Sequence, residues 1–160
     1  MIYYIQNQDI SFATADVIVN ASNGIGYMGG KTGARKKMKG VAESIQYATK
    51  GLAEKEAKKI VNFFRPSKVG TVFVTSAVGL KANYIFHAVT MRYPGGTTSY
   101  EIVKKILPQI IINCRKYSCH SIAIPLLGSG TGKLNKEEVI KLIESFFFSF
   151  DDIDVYMFVN

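Results

Sequence analysis

The chain has 160 residues, of which 48% are hydrophobic, and this is enough to bury the core of one globular domain. No apolar run approaches the roughly 18 residues that a membrane-spanning helix needs, and the first residues show no secretory signal pattern. Two cysteines, Cys114 and Cys119, are too few for a disulfide framework, so we expect a cytoplasmic protein.

The charge is strongly positive, with 20 Lys and Arg against 12 Asp and Glu and a formal net charge of +8. Such a balance is compatible with a polyanionic partner, including nucleic acid, or with a solvated lysine-rich surface. We favour the solvated surface, because the sequence shows no stripe of arginine and aromatic residues of the kind that binds single strands. Nucleic acid stays a secondary candidate partner.

The first half of the chain predicts one buried strand and two helices. Residues 16–20 (DVIVN) are short, β-branched and apolar, which is typical of a central strand. Apolar residues three or four positions apart predict a helix over residues 33–48. The same spacing predicts a second helix over residues 52–64, which Pro66 ends.

The second half continues the alternation of strands and helices. Strands are predicted at residues 70–75, 83–89, 121–125 and 154–159, and helices at residues 99–117 and 136–150. Pro108 lies inside the first of these two helices and predicts a kink there. No repeat, low-complexity tract or linker interrupts the pattern, so we predict one layered α/β domain over residues 1–160.

Two glycine-rich loops follow predicted strands. The first lies within residues 19–33 (VNASNGIGYMGGKTG), and the second, residues 126–133 (LLGSGTGK), precedes a helix. Ligands of open α/β sheets bind beyond the carboxyl ends of the strands. Glycine lets the backbone approach an anion, and the start of a helix offers unpaired N–H groups and a positive dipole end. Together the loops predict a diphosphate site, although each alone could be an ordinary turn.

Spacing argues against the two nucleotide motifs that these loops mimic. A P-loop that ends in GKT at residues 30–32 requires glycine at position 25, which is isoleucine, and no hydroxyl residue follows Lys133 to bind Mg²⁺. Residues 24–29 match the GxGxxG fingerprint of dinucleotide-binding folds. However, Glu43, the candidate ribose-binding acid, falls on a predicted helix and not at the end of a second strand.

The ordered set of motifs instead resembles the macrodomain family, the ADP-ribose-binding modules, over essentially the whole chain. The matching segments are QDI at 8–10, DVIVNASN at 16–23, MGGKTGA at 28–34, TSA at 75–77, YIFHAV at 84–89 and IAIPLLGSGTG at 122–132. The resemblance implies a three-layer α/β/α fold with a central mixed sheet, and ADP-ribose as the ligand. We predict no cofactor, and no metal site, because the cysteines and histidines lack ligand spacing.

The resemblance implies a role for each matching residue. Asp9 would accept a hydrogen bond from the adenine amino group, beside a backbone contact from Ile10. Asn20 would brace the first loop, and Asn23 would reach the distal ribose, which makes Asn23 the one catalytic candidate. Backbone amides would hold the phosphates: those of Gly30, Lys31 and Thr32 one phosphate, and those of Ser129, Gly130, Thr131 and Gly132 the other.

The residue that stacks on adenine is left open. Many macrodomains carry an aromatic residue for this purpose at the end of the last strand. In this chain Phe158 and Asn160 are both candidates for that place. His87 lies among apolar residues, so we expect it to be structural.

The resemblance also leaves catalysis open. Hydrolytic members of one large group carry an aspartate just before the glycine that opens the first helix, where this chain has Thr32, which cannot act as a carboxylate base. Another group uses a lysine that attacks the ribose, and Lys31 is its conceivable counterpart. We therefore expect a binder of ADP-ribose, free or attached to a macromolecule, with weak or substrate-assisted hydrolysis. The alternative is an active hydrolase that removes ADP-ribose from protein or nucleic acid, or that processes an ADP-ribose derivative.

Overall fold

The computed structural model describes residues 1–160 and contains one six-stranded sheet. The strands are β1 (Ile2–Ile5), β2 (Val17–Asn23), β3 (Val72–Ser76), β4 (Tyr84–Met91), β5 (Ser121–Pro125) and β6 (Asp154–Phe158). Their order across the sheet is β1-β6-β5-β2-β4-β3. Five strands are parallel, and the edge strand β3 runs antiparallel to β4.

Helices cover both faces of the sheet. They are α1 (Gly30–Arg35), α2 (Val41–Ala48), α3 (Leu52–Lys58), α4 (Tyr100–Lys116) and α5 (Lys136–Phe147). The long helices α4 and α5 enclose the larger hydrophobic core on one face. The three short helices and a 3-10 turn at Ile10–Phe12 cover the smaller core on the other. The predicted three-layer α/β/α fold with a mixed central sheet is therefore confirmed. No helix is both long enough and apolar enough to cross a membrane.

The predicted helix over residues 33–48 is wrong, since two helices occupy this segment. Helix α1 ends at Arg35, and α2 starts at Val41 after Gly40, which has φ 128° and ψ 160°. Glycine reaches this conformation without strain, whereas other residues do not. Met38, which the apolar spacing placed on the buried face, is 44% exposed. The spacing runs across the break in phase, so periodicity could not reveal it.

The predicted helix over residues 52–64 is too long, because α3 ends at Lys58. Beyond it, the backbone N–H groups of Phe64 and Arg65 donate to Asn62 Oδ1, at 2.8 and 3.0 Å. This tight turn leaves Phe63 and Phe64 exposed in solvent at 63% and 89%. Strand β1 was missed by the sequence reasoning, whereas β5 has the predicted bounds. Helix α4 runs through Pro108 without interruption.

Candidate functional site

The carboxyl ends of the five parallel strands form one edge of the sheet. Asp9 follows β1, the second glycine loop follows β5, the first glycine loop follows β2, and Arg92 follows β4. Because β2 and β5 are hydrogen-bonded parallel neighbours, the two glycine loops begin side by side. The predicted contacts for base, diphosphate and distal ribose therefore follow one another along this edge.

The side chain of Asn23 forms hydrogen bonds within the first loop. Its Oδ1 accepts hydrogen bonds from the N–H groups of Ile25 and Tyr27, at 3.2 and 3.1 Å, and its Nδ2 donates to the Tyr27 carbonyl at 2.9 Å. The residue is only 8% exposed. Asn23 thus makes the bracing contacts that the resemblance implied for Asn20. A contact between Asn23 and a distal ribose stays a prediction.

Glu54 of α3 holds the start of α1, a contact that no motif or spacing in the sequence predicted. Its Oε1 accepts from the Met28 N–H at 2.5 Å and from the Gly30 N–H at 3.1 Å. Gln46 of α2 supports the arrangement, because its Nε2 donates to the Gly30 carbonyl and its Oε1 accepts from the Glu54 N–H. The Gly30 amide, predicted to hold a phosphate, already has a carboxylate acceptor.

Two amides of the first loop remain without an acceptor. The N–H groups of Lys31 and Thr32 have no intrahelical partner at the start of α1, and they donate to no side chain or loop carbonyl. Both residues are exposed. Gly29, which precedes the helix, has φ 118°, and a Cβ there would lie 3.3 Å from the Gly33 Cα. A side chain at position 29 would therefore distort the turn that presents these amides.

The second loop, residues 126–133, is closed by its own hydrogen bonds. The Ser129 N–H and Oγ both donate to the Leu126 carbonyl, at 3.0 and 2.7 Å, and the Lys133 N–H donates to the Gly130 carbonyl at 3.0 Å. Ser129 therefore resembles Gly30 among the predicted phosphate contacts, because its amide already has an acceptor. The N–H groups of residues 130–132 donate to no acceptor in the chain. A Cβ on Gly130 would meet nothing within 4 Å, so the loop opens to solvent there.

The predicted start of the helix after the second loop is confirmed, and it lies three residues beyond Lys133. Helix α5 starts at Lys136, and the side chain of Asn135 caps it by accepting a hydrogen bond from the Glu138 N–H at 3.1 Å. The first turn of α5 also carries Glu137 and Glu138, which occupy its positive end. The second loop therefore does not offer an anion the start of a helix.

Thr98 lies beneath the second loop and was also missed. A Cβ on Gly128 would lie 3.0 Å from the Thr98 Cγ2, and a Cβ on Gly132 would lie 2.3 Å from the same atom. Both glycines are therefore required by the close approach of Thr98. The Thr98 hydroxyl is buried and has no hydrogen-bond partner, a rare state for a buried polar atom.

Asp9 follows β1, and both of its carboxylate oxygens have partners within the chain. Its Oδ1 accepts from the Ser11 N–H at 2.9 Å and from the Ser11 hydroxyl at 2.7 Å, while Lys37 Nζ lies 2.6 Å from Oδ2. Burial acts to raise the pKa of Asp9, but the hydrogen bonds from Lys37 and Ser11 outweigh it and hold that pKa below its ordinary value. Asp9 is therefore an ionised acceptor, and a lysine already pairs with its Oδ2.

The chain end packs against the segment that leads to Asp9. Asn160 accepts from the Asn7 N–H at 2.6 Å and donates to the Gln8 carbonyl at 2.8 Å. Phe158 is 8% exposed and, like Ile10, belongs to the smaller core. Asn160 therefore positions the Asp9 segment, while Phe158 lies mostly below the surface.

Asn20 belongs to a buried polar chain beneath the site. Its Nδ2 donates to His87 Nδ1 at 3.1 Å, and the opposite ring nitrogen lies 2.9 Å from the Thr75 hydroxyl. Burial lowers the pKa of His87 to about 3, so the ring is neutral and Nε2 donates to Thr75. The ring also stacks on Phe73, with centroids 4.5 Å apart. These contacts agree with a structural histidine. The Asn20 Oδ1 is buried without a partner.

Known sequences resemble this chain over most of its length. Residues 19–143 match the family model of the Macro domain. An uncharacterized protein of Saccharolobus solfataricus is 35% identical over 127 residues, which cover 79% of this chain and 66% of that protein. An uncharacterized protein of Sulfurisphaera tokodaii is 30% identical over 158 residues, which cover 96% of this chain and 81% of that protein.

Solved structures show the same fold. The macrodomain of Mycobacterium tuberculosis DarG aligns with a TM-score of 0.78 at 24% identity, over 99% of this chain and 97% of that one. An Oceanobacillus iheyensis macrodomain mutant with ADPR aligns with a TM-score of 0.78 at 21% identity, over 96% of this chain and 82% of that one. Since the family model covers well over half of its residues, the chain belongs to the macrodomain family.

Proposed function

We propose that this protein binds ADP-ribose, free or attached to a macromolecule, along the carboxyl edge of its sheet. The observation that carries the proposal is the pair of adjacent loops with backbone N–H groups that lack acceptors. These groups belong to Lys31, Thr32, Gly130, Thr131 and Gly132. Unpaired amides on glycine-rich backbone form the kind of concave surface that holds phosphate oxygens.

The order of elements along the edge supports an extended ligand. Asp9 lies at the β1 end, both loops lie in the middle, and the first loop faces the β4 end. In that order, the base would meet the acceptor Asp9, the diphosphate would meet the N–H groups of the two loops, and the second ribose would meet the turn at Asn23. Structures of an Oceanobacillus iheyensis macrodomain with ADPR and with ADP add support from the same fold.

Calorimetric titration with ADP-ribose, AMP, NAD and ATP tests this proposal. We expect the tightest binding for ADP-ribose. Of the four compounds, only ADP-ribose has a second ribose after its second phosphate and carries neither a nicotinamide nor a third phosphate. Tighter binding of ATP than of ADP-ribose contradicts the proposal.

A substitution in the second loop tests where the ligand binds. A valine at Gly130 has room in the free protein, so we expect Gly130→Val to fold with an unchanged melting temperature. Its side chain would occupy the space in front of the free amides and weaken ADP-ribose binding at least about tenfold, or 1.4 kcal/mol. Ser149→Val, at an exposed position beyond α5, is the control. Unchanged affinity in Gly130→Val would contradict this placement.

We also propose that hydrolysis, if it occurs, is weak or assisted by the substrate. Glu54, the carboxylate nearest the first loop along the hydrogen-bond network, is occupied by the Met28 and Gly30 amides and lies 3.7 Å from Lys58 Nζ. Glu54 is therefore not free to act as a base, and position 32 supplies a threonine in place of a carboxylate. The alternative, an active hydrolase, predicts release of ADP-ribose from mono-ADP-ribosylated protein or nucleic acid.

Incubation with both kinds of substrate separates binding from hydrolysis. We expect retention of the modified substrate with slow or no turnover. Rapid turnover that disappears in Asn23→Ala would establish the hydrolase instead. Because Asn23 also braces the loop, the melting temperature and ADP-ribose affinity of the variant are measured in parallel.

A further inference from the structure

An exposed patch of aromatic and basic residues lies at the β4 end of the same edge. The basic–aromatic patch consists of Phe63, Phe64, Arg65, Arg92 and Tyr93. Phe64 is 89% exposed, Phe63 63% and Tyr93 40%. Single exposed apolar side chains are common on soluble proteins, but three aromatic rings grouped with two arginines require an explanation.

The patch is continuous across two loops that are distant in the chain. The rings of Phe63 and Phe64 lie 5.7 Å apart edge to face, and Phe63 lies 6.0 Å from Tyr93. The Arg92 guanidinium lies over the Tyr93 ring, 5.5 Å from its centroid. The sequence reasoning found no arginine–aromatic stripe. The patch could not be read from the sequence, because its residues come together only where the two loops meet.

The patch is attached to the first glycine loop through Gly24. The Gly24 N–H donates to the Arg92 carbonyl, and the Ser67 N–H donates to the Gly24 carbonyl, both at 2.8 Å. A Cβ on Gly24 would lie 2.7 Å from the Ser67 carbonyl oxygen and 2.9 Å from that of Arg92. Only glycine therefore allows both loops to close on the backbone beside Asn23. A molecule on the patch would lie next to the loop at the distal end of the proposed ligand site.

The charge around the patch selects the chemistry of its partner. The patch contains two arginines and no Asp or Glu, and Lys68 follows Arg65 by three residues. Arg65, Lys68 and Arg92 take part in none of the ion pairs of the structure. Free arginines beside bare aromatic rings complement a polyanion that also offers flat apolar surfaces.

We propose that the basic–aromatic patch binds single-stranded nucleic acid. Unpaired bases stack on Phe64, Phe63 and Tyr93, while Arg65 and Arg92 contact the phosphates. A duplex keeps its base faces stacked inside the helix, so it can use only the arginines. This proposal rests on the patch alone and holds whether or not the glycine loops bind ADP-ribose.

Fluorescence anisotropy of a labelled oligonucleotide of about 12 nucleotides, within the usual site sizes, tests the proposal. We expect Phe64→Ala to weaken binding of the single strand roughly 5- to 100-fold, and Phe64→Tyr to restore it. Arg92→Ala is expected to reduce the slope of log affinity against log salt by about 0.7. Duplex of the same sequence is expected to bind more weakly and to be insensitive to Phe64→Ala.

Phe148 supplies a matched control. It is 84% exposed, and it lies between α5 and the start of β6, at the opposite edge of the sheet. Phe148→Ala is expected to leave strand binding unchanged, and Phe64→Ala is expected to leave the melting temperature unchanged.

Four results would overturn the proposal. The first is an equal effect of Phe64→Ala and Phe148→Ala on binding of the single strand, and the second is an affinity for the single strand that does not change with salt. The third is an affinity for duplex equal to that for the single strand. The fourth is a protein that binds a peptide but no single strand. A wild-type protein that binds the strand but not ADP-ribose would refute the proposed function and leave this inference intact.

Discussion

At the scale of single residues, the predicted polar contacts are already engaged within the chain. Asn23 bonds to its own loop, Gly30 donates to Glu54, and Asp9 holds both Ser11 and Lys37. Free hydrogen-bonding capacity is instead found in backbone amides of the two glycine loops. In the proposed function, the diphosphate would therefore be bound by backbone amides, and the base would share Asp9 with Lys37.

Removal of the Lys37 amine is predicted to strengthen ADP-ribose binding. The Lys37 side chain is 51% exposed, so its ion pair with Asp9 is worth only about 0.2–1 kcal/mol. Lys37→Ala frees Oδ2 of Asp9 at that small cost, and we expect the Kd to fall by up to about fivefold. Calorimetry checks this, with Lys39→Ala as control. Weaker binding in Lys37→Ala would mean that this lysine contacts the ligand itself.

At the scale of elements, the first glycine loop is shaped by the helix packed against it. Helix α3 places the Glu54 carboxylate on two loop amides, and α2 supplies Gln46 to the same network. Met28 anchors the loop in the smaller core with no exposed surface. The turn at the start of α1 is thus shaped by contacts from both neighbouring helices.

Loss of the Glu54 carboxylate is predicted to destabilise the protein. In Glu54→Ala the N–H groups of Met28 and Gly30 lose their acceptor, and an unsatisfied buried donor costs about 1–3 kcal/mol. Urea denaturation should show a decrease of this size in the free energy of unfolding. Glu54→Gln keeps one acceptor oxygen, so its free energy of unfolding should lie between those of the wild type and Glu54→Ala. Glu56→Ala, on the same helix and paired with Lys59 at its surface, should change stability by less than about 0.5 kcal/mol. Equal effects of Glu54→Ala and Glu56→Ala would contradict the role of Glu54.

At the scale of the whole molecule, the pH dependence of stability is tied to a neutral histidine buried in β4. His87 is fully buried between Asn20, Thr75 and Phe73. Its pKa of about 3 in the folded protein lies below the ordinary value of 6.5. The unfolded chain therefore binds a proton below about pH 6.5 that the folded protein does not bind.

This linkage predicts a loss of stability as the pH falls below about 6.5. The free energy of unfolding should decrease with a slope that approaches about 1.4 kcal/mol per pH unit, which amounts to about 1.6 kcal/mol between pH 6.5 and pH 5.0. Denaturant titrations at pH 7.5, 6.5 and 5.0 check this, and at the two higher values stability should be nearly equal. His87→Gln, which cannot titrate, should lose the slope between pH 6.5 and 5.0. If the free energy of unfolding of this variant still decreases between pH 6.5 and 5.0, another titrating group causes the effect.

The sequence by itself determined the fold class, the family and the position of both glycine loops. These features follow from local patterns, such as the apolar run of β2, the bounds of β5 and the runs of glycine after each strand. Local spacing also predicted the strongly amphipathic helices α4 and α5 to within a few residues. Such features are encoded by neighbours in the chain, and they can be read without the tertiary structure.

Only the tertiary structure decided what the site residues touch. Glu54 meets Gly30 across 24 residues, Lys37 meets Asp9 across 28, and Phe63 meets Tyr93 through loops that Gly24 joins. The break at Gly40 likewise shows only in three dimensions, because the apolar spacing stays in phase across it. Such contacts depend on how helices and loops pack over the sheet, and neither residue periodicity nor motif spacing carries that information.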